Sequence, residues 1–292
     1  MTARAESRVA RTAAAPRGAS WVEALAVHVV FVVVVVFFLV PFIWLFTAAF
    51  DADAVAYIRM PAHPTLENFV RIFTEHDFGR ALANSIFVAG STMILDVVAV
   101  SLAGYSLSRL EWRFKSWITY AVLLLQTMPL SATMVPIYGL ARALGLRNSY
   151  AGLILIHAAI ELPFLIWLMK NFFDNVPRYL EEAAWLDGRS KLRALVEVVL
   201  PVARNGIGVV AGLSFLAAWA EVLMMIILID SQDLKTVPLA FYETLRTQGG
   251  YTEVQYGLVA AMGVLYAVPV MVIFLATRRM MVRGLIASSR GL

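Results

Sequence analysis

Six stretches of this chain are long and apolar enough to cross a lipid bilayer, and they constrain its fold more than any other feature. A helix needs about 20 apolar residues to span the hydrocarbon core of a membrane. Only 15% of the 292 residues are charged and 61% are apolar, whereas soluble domains carry about 25% charged residues. We therefore predict an all-α polytopic membrane protein with six transmembrane helices. Their approximate ranges are 23–49, 82–108, 117–140, 149–172, 205–229 and 256–277.

The basic residues predict how these helices are oriented. With the N-terminus inside the cell, 17 of the 24 Lys and Arg residues fall in cytoplasmic segments and the other seven fall outside. Cytoplasmic loops of membrane proteins carry an excess of Lys and Arg, so we predict that both termini are cytoplasmic. The first stretch exceeds the about 7–15 apolar residues of a secretory signal and is interpreted as an uncleaved span.

The spans divide the chain into four parts. The opening segment 1–20 is rich in Ala, Arg and Ser and predicts a disordered cytoplasmic arm. Residues 21–80 comprise the first span and an external loop, which is either a solvated cap or a docking surface. Residues 81–277 form a core of five spans with a cytoplasmic loop at 174–204, and residues 278–292 form a cytoplasmic tail.

The composition excludes several chemistries. No cysteine is present, which rules out disulfides, cysteine-based zinc sites and cysteine nucleophiles. The four histidines, at positions 28, 63, 76 and 157, form no metal-ligand cluster along the sequence, and no Gly-rich phosphate-binding loop opens a helix. We therefore predict no catalytic residue, no metal, no bound cofactor and no nucleic-acid partner, and we expect any energy source to be held by a partner.

The cytoplasmic loop at 174–204 begins with the features of a short helix. Pro177 suits the first turn, where its missing N–H is not needed. Glu181 and Glu182 follow near the start of the helix, where the helix dipole favours negative charge. Ala183 and Ala184 are strong helix formers, and their small side chains permit close approach of a partner surface.

A turn and a second helix follow. Gly188 fits the left-handed position that often closes a helix. Ser190 can cap the second helix, whose apolar residues recur at helical spacing at positions 192, 195, 196 and 199. Pro201 is predicted to end this helix. The loop is therefore predicted to be a helix–Gly–helix elbow, rigid enough to carry force, rather than an ordinary polar connector.

The same loop carries a sequence signature. It reads Glu-Ala-Ala-Trp-Leu-Asp-Gly and then, nine residues later, Val-Val-Leu-Pro. This resembles the EAA-x3-G-x9-I-x-LP signature of the membrane-spanning subunits of bacterial ATP-binding cassette importers, with Val198 in place of the usual Ile. Further similarities after residue 65 narrow the resemblance to the carbohydrate-uptake permeases, the relatives of maltose and glycerol-phosphate permeases. The matching positions are Glu182, Ala183, Ala184, Gly188, Leu200 and Pro201.

The resemblance implies where ATP hydrolysis in another protein acts on this one. The loop would be the coupling helix that inserts into a cleft of an ATPase subunit. In that arrangement, Glu182 and Asp187 supply polar contacts, the two alanines allow close packing, and Gly188 makes the turn. The residues so assigned to ATPase coupling are Glu181, Glu182, Ala183, Ala184, Asp187, Gly188, Leu200 and Pro201.

The resemblance also implies partners and a cargo. Six spans are too few for a complete path, so a second homologous permease chain is expected, with two copies of an ATP-binding cassette subunit that hold ATP and Mg. An extracytoplasmic sugar-binding protein or lipoprotein would deliver a di- or oligosaccharide to this chain in the lipid of the bacterial cytoplasmic membrane. The spans contain no basic residue away from their ends, which favours a neutral sugar over a phosphorylated one.

Three acidic residues lie within the predicted spans: Asp96, Glu161 and Glu221. A carboxylate at the centre of a membrane helix costs about 2.5–3.5 kcal/mol on insertion scales, so it usually faces protein or a water-filled cavity. We interpret the three carboxylates, with the aromatic face of Trp219, as the lining of a translocation path for a hydroxyl-rich cargo. Structural hydrogen bonds between helices are the alternative.

Two other functions remain open from the residues. An ion-coupled secondary carrier would use the same carboxylates as proton or cation sites, but it leaves the cytoplasmic elbow unexplained. An intramembrane carboxylate protease would require two acidic residues that converge on one site, and the spans contain no paired acidic motif. The leading hypothesis is a permease that works by alternating access and is not itself an enzyme.

Overall fold

All regular elements of the described structure are helical, as the sequence predicts. The computed structural model describes residues 21–111, 113–248 and 254–289. The predicted arm at 1–20 lies outside these ranges, whereas residues 278–289 of the predicted tail continue the last helix. The helices are α1 Trp21–Ala49, α2 Glu67–Thr74, α3 Phe78–Arg109, α4 Lys115–Leu125, α5 Leu130–Ala143, α6 Tyr150–Asp174, α7 Tyr179–Leu186, α8 Lys191–Val202, α9 Arg204–Ala220, α10 Leu223–Leu228, α11 Val237–Gln248 and α12 Tyr256–Ser289.

Fewer of the described helices are long enough to cross a membrane than the sequence predicts. Four of them qualify by length and apolar character, namely α1, α3, α6 and the Tyr256–Arg278 part of α12. A fifth is obtained if α8 and α9, which are bent by 84° at Ala203, count as one span. The first, second, fourth and sixth predicted spans correspond to the four long helices, and the other two are interrupted.

The third predicted span, 117–140, is two helices rather than one. The first, α4, ends at Leu125, and α5 begins at Leu130 directly after Pro129. A proline disfavours helical conformation in the residue before it, so Pro129 favours a break at Met128 between the two helices. Pro136 lies inside α5 without ending it, which shows that the two prolines of this segment act differently.

The fifth predicted span, 205–229, is interrupted at Glu221. Helix α9 ends at Ala220, and Glu221 has an extended backbone with ψ of 124°. Its carboxylate Oε1 accepts a hydrogen bond of 3.0 Å from the backbone N–H of Met224. The first amides of a helix have no partner within the helix, so this side chain satisfies one of those of α10. Glu221 therefore lies at a break between two helices rather than within one.

The core that positions the functional residues is formed by α3, α6 and α9, with α3 lying against both other helices. Small residues permit the close approach, as is usual between membrane helices. A Cβ at Gly104 of α3 would lie 3.2 Å from the backbone nitrogen of Lys170, and one at Gly206 of α9 would lie 2.5 Å from the ring of Phe172. Buried apolar side chains fill the half of this core next to the segment 174–204; they include Val100, Leu165, Met169, Phe173, Val199 and Val210.

The loop before α3, which the sequence predicts to be external, is folded onto the end of α1. The buried amide of Asn68 in α2 donates hydrogen bonds to the carbonyls of Ala49 and Asp51. Arg59 forms an ion pair of 2.7 Å with Asp51. The loop therefore has fixed internal contacts, and both of its interpretations, as a cap and as a docking surface, stay predictions.

Candidate functional site

The elbow, which the sequence predicts to be cytoplasmic, consists of α7 and α8, joined at a glycine with an unusual backbone. Gly188 has φ of +80°. This is the left-handed conformation that the sequence predicts and that residues other than glycine rarely adopt. A Cβ at this position would meet nothing within 4 Å. The backbone conformation, and not lack of space, is therefore what requires glycine here.

Serine begins the second half of the elbow. The hydroxyl of Ser190 accepts a hydrogen bond of 3.3 Å from the backbone N–H of Arg193, which is the capping contact that the sequence predicts. Arg189 pairs with Glu197 at 2.5 Å across the turn. The cap and the ion pair orient α8 relative to the glycine.

The prediction that Pro201 ends the second helix is wrong by one residue. The helix continues to Val202 and breaks at Ala203. Before the proline it widens into a π-helical turn over Leu195–Val199, in which the N–H of Leu200 reaches the carbonyl of Leu195. Proline lacks an N–H and its ring clashes with the carbonyl four residues earlier, and the wider turn accommodates both effects. Leu200 is half-buried and Pro201 is exposed.

Helix α7 has two faces. Ala184 is buried against the rest of the chain, and so is Glu181 one turn before it. Glu182, Ala183 and Asp187 are exposed on the other side, as is Gly188, and Leu186 is 90% exposed. The outward face is therefore available to a second protein, and it combines acidic groups with a large apolar side chain at its end.

Glu181 does not belong to this outward face, contrary to its place among the predicted coupling residues. Its side chain is only 1% exposed and forms an ion pair of 2.5 Å with Nε of Arg109 at the end of α3. The hydroxyl of Tyr105 donates a hydrogen bond of 2.8 Å to its other carboxylate oxygen. Residues three apart share one face of a helix, so Glu181 lies with the buried Ala184 and opposite Glu182.

Arg109 and Tyr105 are functional candidates that the sequence analysis missed. Arg109 was counted only as one of the cytoplasmic charges. The signal that could have pointed to it is its position: it ends an apolar span, and a glutamate follows in the next cytoplasmic loop. Nothing in the local pattern pairs the two residues, because 72 positions separate them.

Within the membrane core, Asp96 is fully buried. Its Oδ2 atom accepts a hydrogen bond of 2.6 Å from the hydroxyl of Ser214, which joins α3 to α9. Its Oδ1 atom has no hydrogen-bond partner among the described residues. The contact with Ser214 is an interhelical hydrogen bond, which is the structural alternative to a role in the translocation path.

The other two predicted carboxylates are half-buried rather than enclosed. Glu161 lies on α6, and Glu221 lies at the break between α9 and α10. Coulombic interactions link Glu161 with Asp96 on one side and with Glu221 on the other. The fold thus brings Glu161 near enough to Asp96 and to Glu221 for their like charges to repel, although the sequence contains no paired acidic motif; we refer to these three residues as the acidic group.

Trp219 lies near the end of α9, two residues before Glu221, and its ring is covered. Phe215 stacks on it with ring centroids 5.6 Å apart, and Tyr266 stacks on it at 5.2 Å. The side chain is 1% exposed. In this conformation the indole offers no face to a sugar, and its arrangement favours a packing role.

No group of three or more His, Asp or Glu side chains that could hold a metal occurs among the described residues.

A known family model covers the elbow, Glu161 and Glu221, and its match begins one residue after Asp96. The family model described as the binding-protein-dependent transport system inner membrane component matches residues 97–284. The chain belongs to this family. It is accordingly a membrane component of a binding-protein-dependent transporter. Membership of this family argues against the two other functions considered, an ion-coupled carrier and an intramembrane protease.

Individual relatives of this permease are transport proteins. It is 30% identical over 253 residues to the sulfoquinovosyl glycerol transport system permease protein of Agrobacterium fabrum, covering 85% of this chain and 87% of that one. It is 30% identical over 256 residues to the trehalose/maltose transport system permease protein of Thermococcus litoralis, covering 86% and 91%. Identity to the maltodextrin transport system permease protein of Bacillus subtilis is 33% over 225 residues, covering 76% and 79%.

The fold of this permease is also found in a solved transporter. It resembles a chain in the crystal structure of a bacterial ABC transporter involved in the import of the acidic polysaccharide alginate, with a TM-score of 0.77 and 19% identity. The match covers 90% of this chain and 98% of that chain. This likeness shows a shared fold. The family match and the relatives above make the chain a multi-pass membrane subunit of a transport system and not itself an enzyme.

Proposed function

We propose that this permease imports a neutral di- or oligosaccharide across the bacterial cytoplasmic membrane. It works with a second, homologous permease chain and with two copies of an ATP-binding cassette subunit that hold ATP and Mg. An extracytoplasmic sugar-binding protein or lipoprotein delivers the cargo. ATP binding closes the cassette dimer, the elbow moves with it, and the spans open outward toward the loaded binding protein.

The outward face of α7 is the observation that carries this proposal. Leu186 is almost completely exposed beside the turn of the elbow, so its apolar side chain is free to contact a second protein. The exposed Glu182 and Asp187 add polar groups beside that apolar contact. Gly188, with its left-handed backbone, holds this face at the tip of the elbow, where an ATPase subunit can reach it. Leu200 and Pro201 act less directly, because they lie near the end of α8, the half of the elbow that leads into α9.

The six-span topology forms part of the proposal. Counting α4 with α5 and α9 with α10 as broken spans, in addition to the four long helices, gives six crossings. With an even number of crossings, both termini lie on the same side of the membrane. The excess of Lys and Arg in the loops then places the termini and the elbow in the cytoplasm.

The sugar class rests on the relatives and on the charge of the spans. Permeases of trehalose/maltose, maltodextrin and diacetylchitobiose uptake systems align with most of this chain. The predicted spans contain no basic residue away from their ends, so a phosphorylated cargo would meet no opposite charge from this chain. A neutral sugar requires hydrogen-bond acceptors instead, and the half-buried Glu161 and Glu221 supply them; Asp96, enclosed and bonded to Ser214, is the weaker candidate.

Reconstitution tests this function directly. The tagged chain is purified from its native membrane, its co-purifying chains are identified by mass spectrometry, and the complex is placed in proteoliposomes. We expect a P-loop ATPase, a second permease and a sugar-binding protein, together with uptake of a labelled oligosaccharide that needs ATP and the loaded binding protein. Uptake driven by an ion gradient without ATP would contradict the proposal.

A further inference from the structure

The buried ion pair between Glu181 and Arg109 joins the elbow to a membrane helix that the chain itself does not connect to it. Helix α7 follows α6 after four residues, and α8 leads into α9 through Ala203. The elbow is therefore attached covalently to α6 and α9. Helix α3 ends 70 positions before α7 begins, and the charged side chain of α7 that links the two directly in the described structure is Glu181.

Polar side chains at the end of α3 form hydrogen bonds with three partners in the segment 174–181. Besides Glu181, the guanidinium of Arg109 donates to the carbonyl of Val176, at 3.0 Å, in the connection between α6 and α7. The neighbouring Ser108 donates from its hydroxyl to Asp174 at the end of α6, at 2.7 Å. The last turn of α3, the last turn of α6 and the first turn of α7 therefore share one network.

Burial gives this network a defined geometry. The side chains of Glu181 and Arg109 are 1% and 13% exposed, so water screens their attraction little. Removal of one partner of a buried pair leaves an uncompensated charge and is strongly destabilising. The neighbouring pair of Arg178 and Glu111 also links the start of α7 to the segment after α3, but its side chains are 51% and 80% exposed. Exposed pairs contribute little.

We propose that Glu181 and Arg109, with the hydroxyl of Tyr105, are positioning residues that transmit the movement of the elbow to α3. Glu181 does not touch the ATPase. It holds the inner face of α7 to α3 while Glu182 and Leu186 on the outer face engage the partner. Helix α3 carries Asp96 and lies against α9, so its displacement reaches the acidic group in the membrane core. This inference rests on the proposed function as an ATP-driven importer.

The test compares two pairs of charge-neutralising substitutions in the full reconstituted complex. Arg109→Gln with Glu181→Gln removes the buried pair without leaving a lone charge, and Glu111→Gln with Arg178→Gln removes the exposed pair at the same end of α7. Each complex is measured for subunit stoichiometry, for ATP hydrolysis and for sugar taken up in the same vesicles. The readout is the amount of sugar transported per ATP hydrolysed, which a defect in assembly alone does not change.

We expect the buried double variant to assemble and to hydrolyse ATP while the sugar transported per ATP falls about tenfold, a typical size for coupling between sites. The exposed double variant is expected to stay within about twofold of the wild type. An unchanged ratio in the assembled buried variant would overturn the inference.

Two controls keep the outcomes distinct. If the buried variant does not assemble, Tyr105→Phe decides, because it removes one hydroxyl and no charge: a lowered ratio with normal assembly supports the inference, and an unchanged ratio overturns it. The wild-type complex is measured in parallel. If the wild type itself shows no ATP-dependent sugar uptake, the proposed function fails, and this result is distinguishable from a failure of the positioning role.

Discussion

The turn of the elbow and the acidic group of the membrane core are built from contacts of different range. In the elbow, Ser190 caps the amide of a residue three positions later, and the turn depends on the backbone of Gly188 alone. In the membrane core, Asp96 bonds to Ser214, which is 118 positions away. The turn and the cap of the elbow therefore follow from short-range rules. The attachment of α7 through Glu181 to Arg109, like the surroundings of Asp96, exists only once distant helices have packed.

This difference also separates the roles of the two regions. The elbow is exposed at its tip and depends on conformation, so substitutions there should impair coupling without preventing insertion. The membrane carboxylates depend on packing and desolvation, so substitutions there should divide into those that affect the cargo and those that affect stability. Four substitutions, taken from the largest expected effect to the smallest, test this division.

Replacing Gly188 with valine should have the largest effect. A β-branched residue at φ of +80° is strained, at a cost of about 1–3 kcal/mol, and the elbow would have to change its turn to relieve that strain. We expect sugar uptake to fall at least about tenfold, as expected for loss of coupling, with normal insertion into the membrane. Uptake and ATP hydrolysis are measured in the same vesicles.

Gly188→Asn is the matched control. Asparagine adopts the left-handed region more readily than other residues with a side chain, and a Cβ at this position has open space around it. The asparagine variant should therefore keep most of the uptake that the valine variant loses. Equal loss in both variants would show that the side chain, rather than the backbone, is what the site rejects.

Leu186→Ala should weaken the association with the ATPase subunit. Leu186 is 90% exposed in this chain, so its removal should leave the stability of the permease unchanged. If it fills a pocket of the partner, its loss should cost about 2 kcal/mol of binding free energy, as for other interface hot spots. The affinity of the purified ATPase subunit for the permease in nanodiscs measures this.

Leu144→Ala is the corresponding control on the other side of the membrane in the proposed topology. Leu144 is 61% exposed at the end of α5, and the same atoms are removed. Its substitution should leave the affinity for the ATPase unchanged. A similar loss at both positions would mean that the effect of Leu186 is not due to docking.

Glu161→Gln should raise the KM for the sugar by about tenfold, because hydrogen bonds to charged groups contribute about 1.5–3 kcal/mol. Asp96→Asn should keep KM within about twofold of the wild type, because Asp96 is enclosed and already bonded to Ser214. Uptake kinetics with a saturating supply of binding protein distinguish the two. An unchanged KM in the glutamine variant would remove Glu161 from the pathway.

The sequence predicts those features that depend on neighbouring residues. The helical class, four of the spans, the left-handed Gly188 and the cap at Ser190 follow from composition, apolar periodicity and local chemistry. Pro201 was misjudged because a proline can be accommodated by a π-helical turn, and the choice between a break and a wider turn depends on how the flanking helices pack.

The site could be predicted only in part, and for the same reason. The signature drew attention to Glu182 and the residues after it, but the direction of each side chain on α7 depends on which face packs against α3. The pairing of Glu181 with Arg109 and the clustering of Glu161 with the other carboxylates arise from tertiary packing. Likewise, the covering of Trp219 depends on Tyr266 of a distant helix.

Ser214→Ala should have the smallest effect and yet tests the comparison most closely. It removes the donor to the buried Asp96, and an unsatisfied buried acceptor costs about 1–3 kcal/mol, so the thermal unfolding midpoint of the purified complex should fall by a few degrees. Ser106→Ala, which removes an exposed hydroxyl bonded in the described structure to the carbonyl of Leu102 on its own helix, should leave the midpoint unchanged.

The KM for the sugar should stay the same in both variants, because the hydrogen bond of Asp96 joins α3 to α9 and serves packing rather than the cargo. A raised KM in the Ser214 variant would instead place Asp96 in the pathway together with Glu161, and the division between packing and cargo in the membrane core would no longer hold.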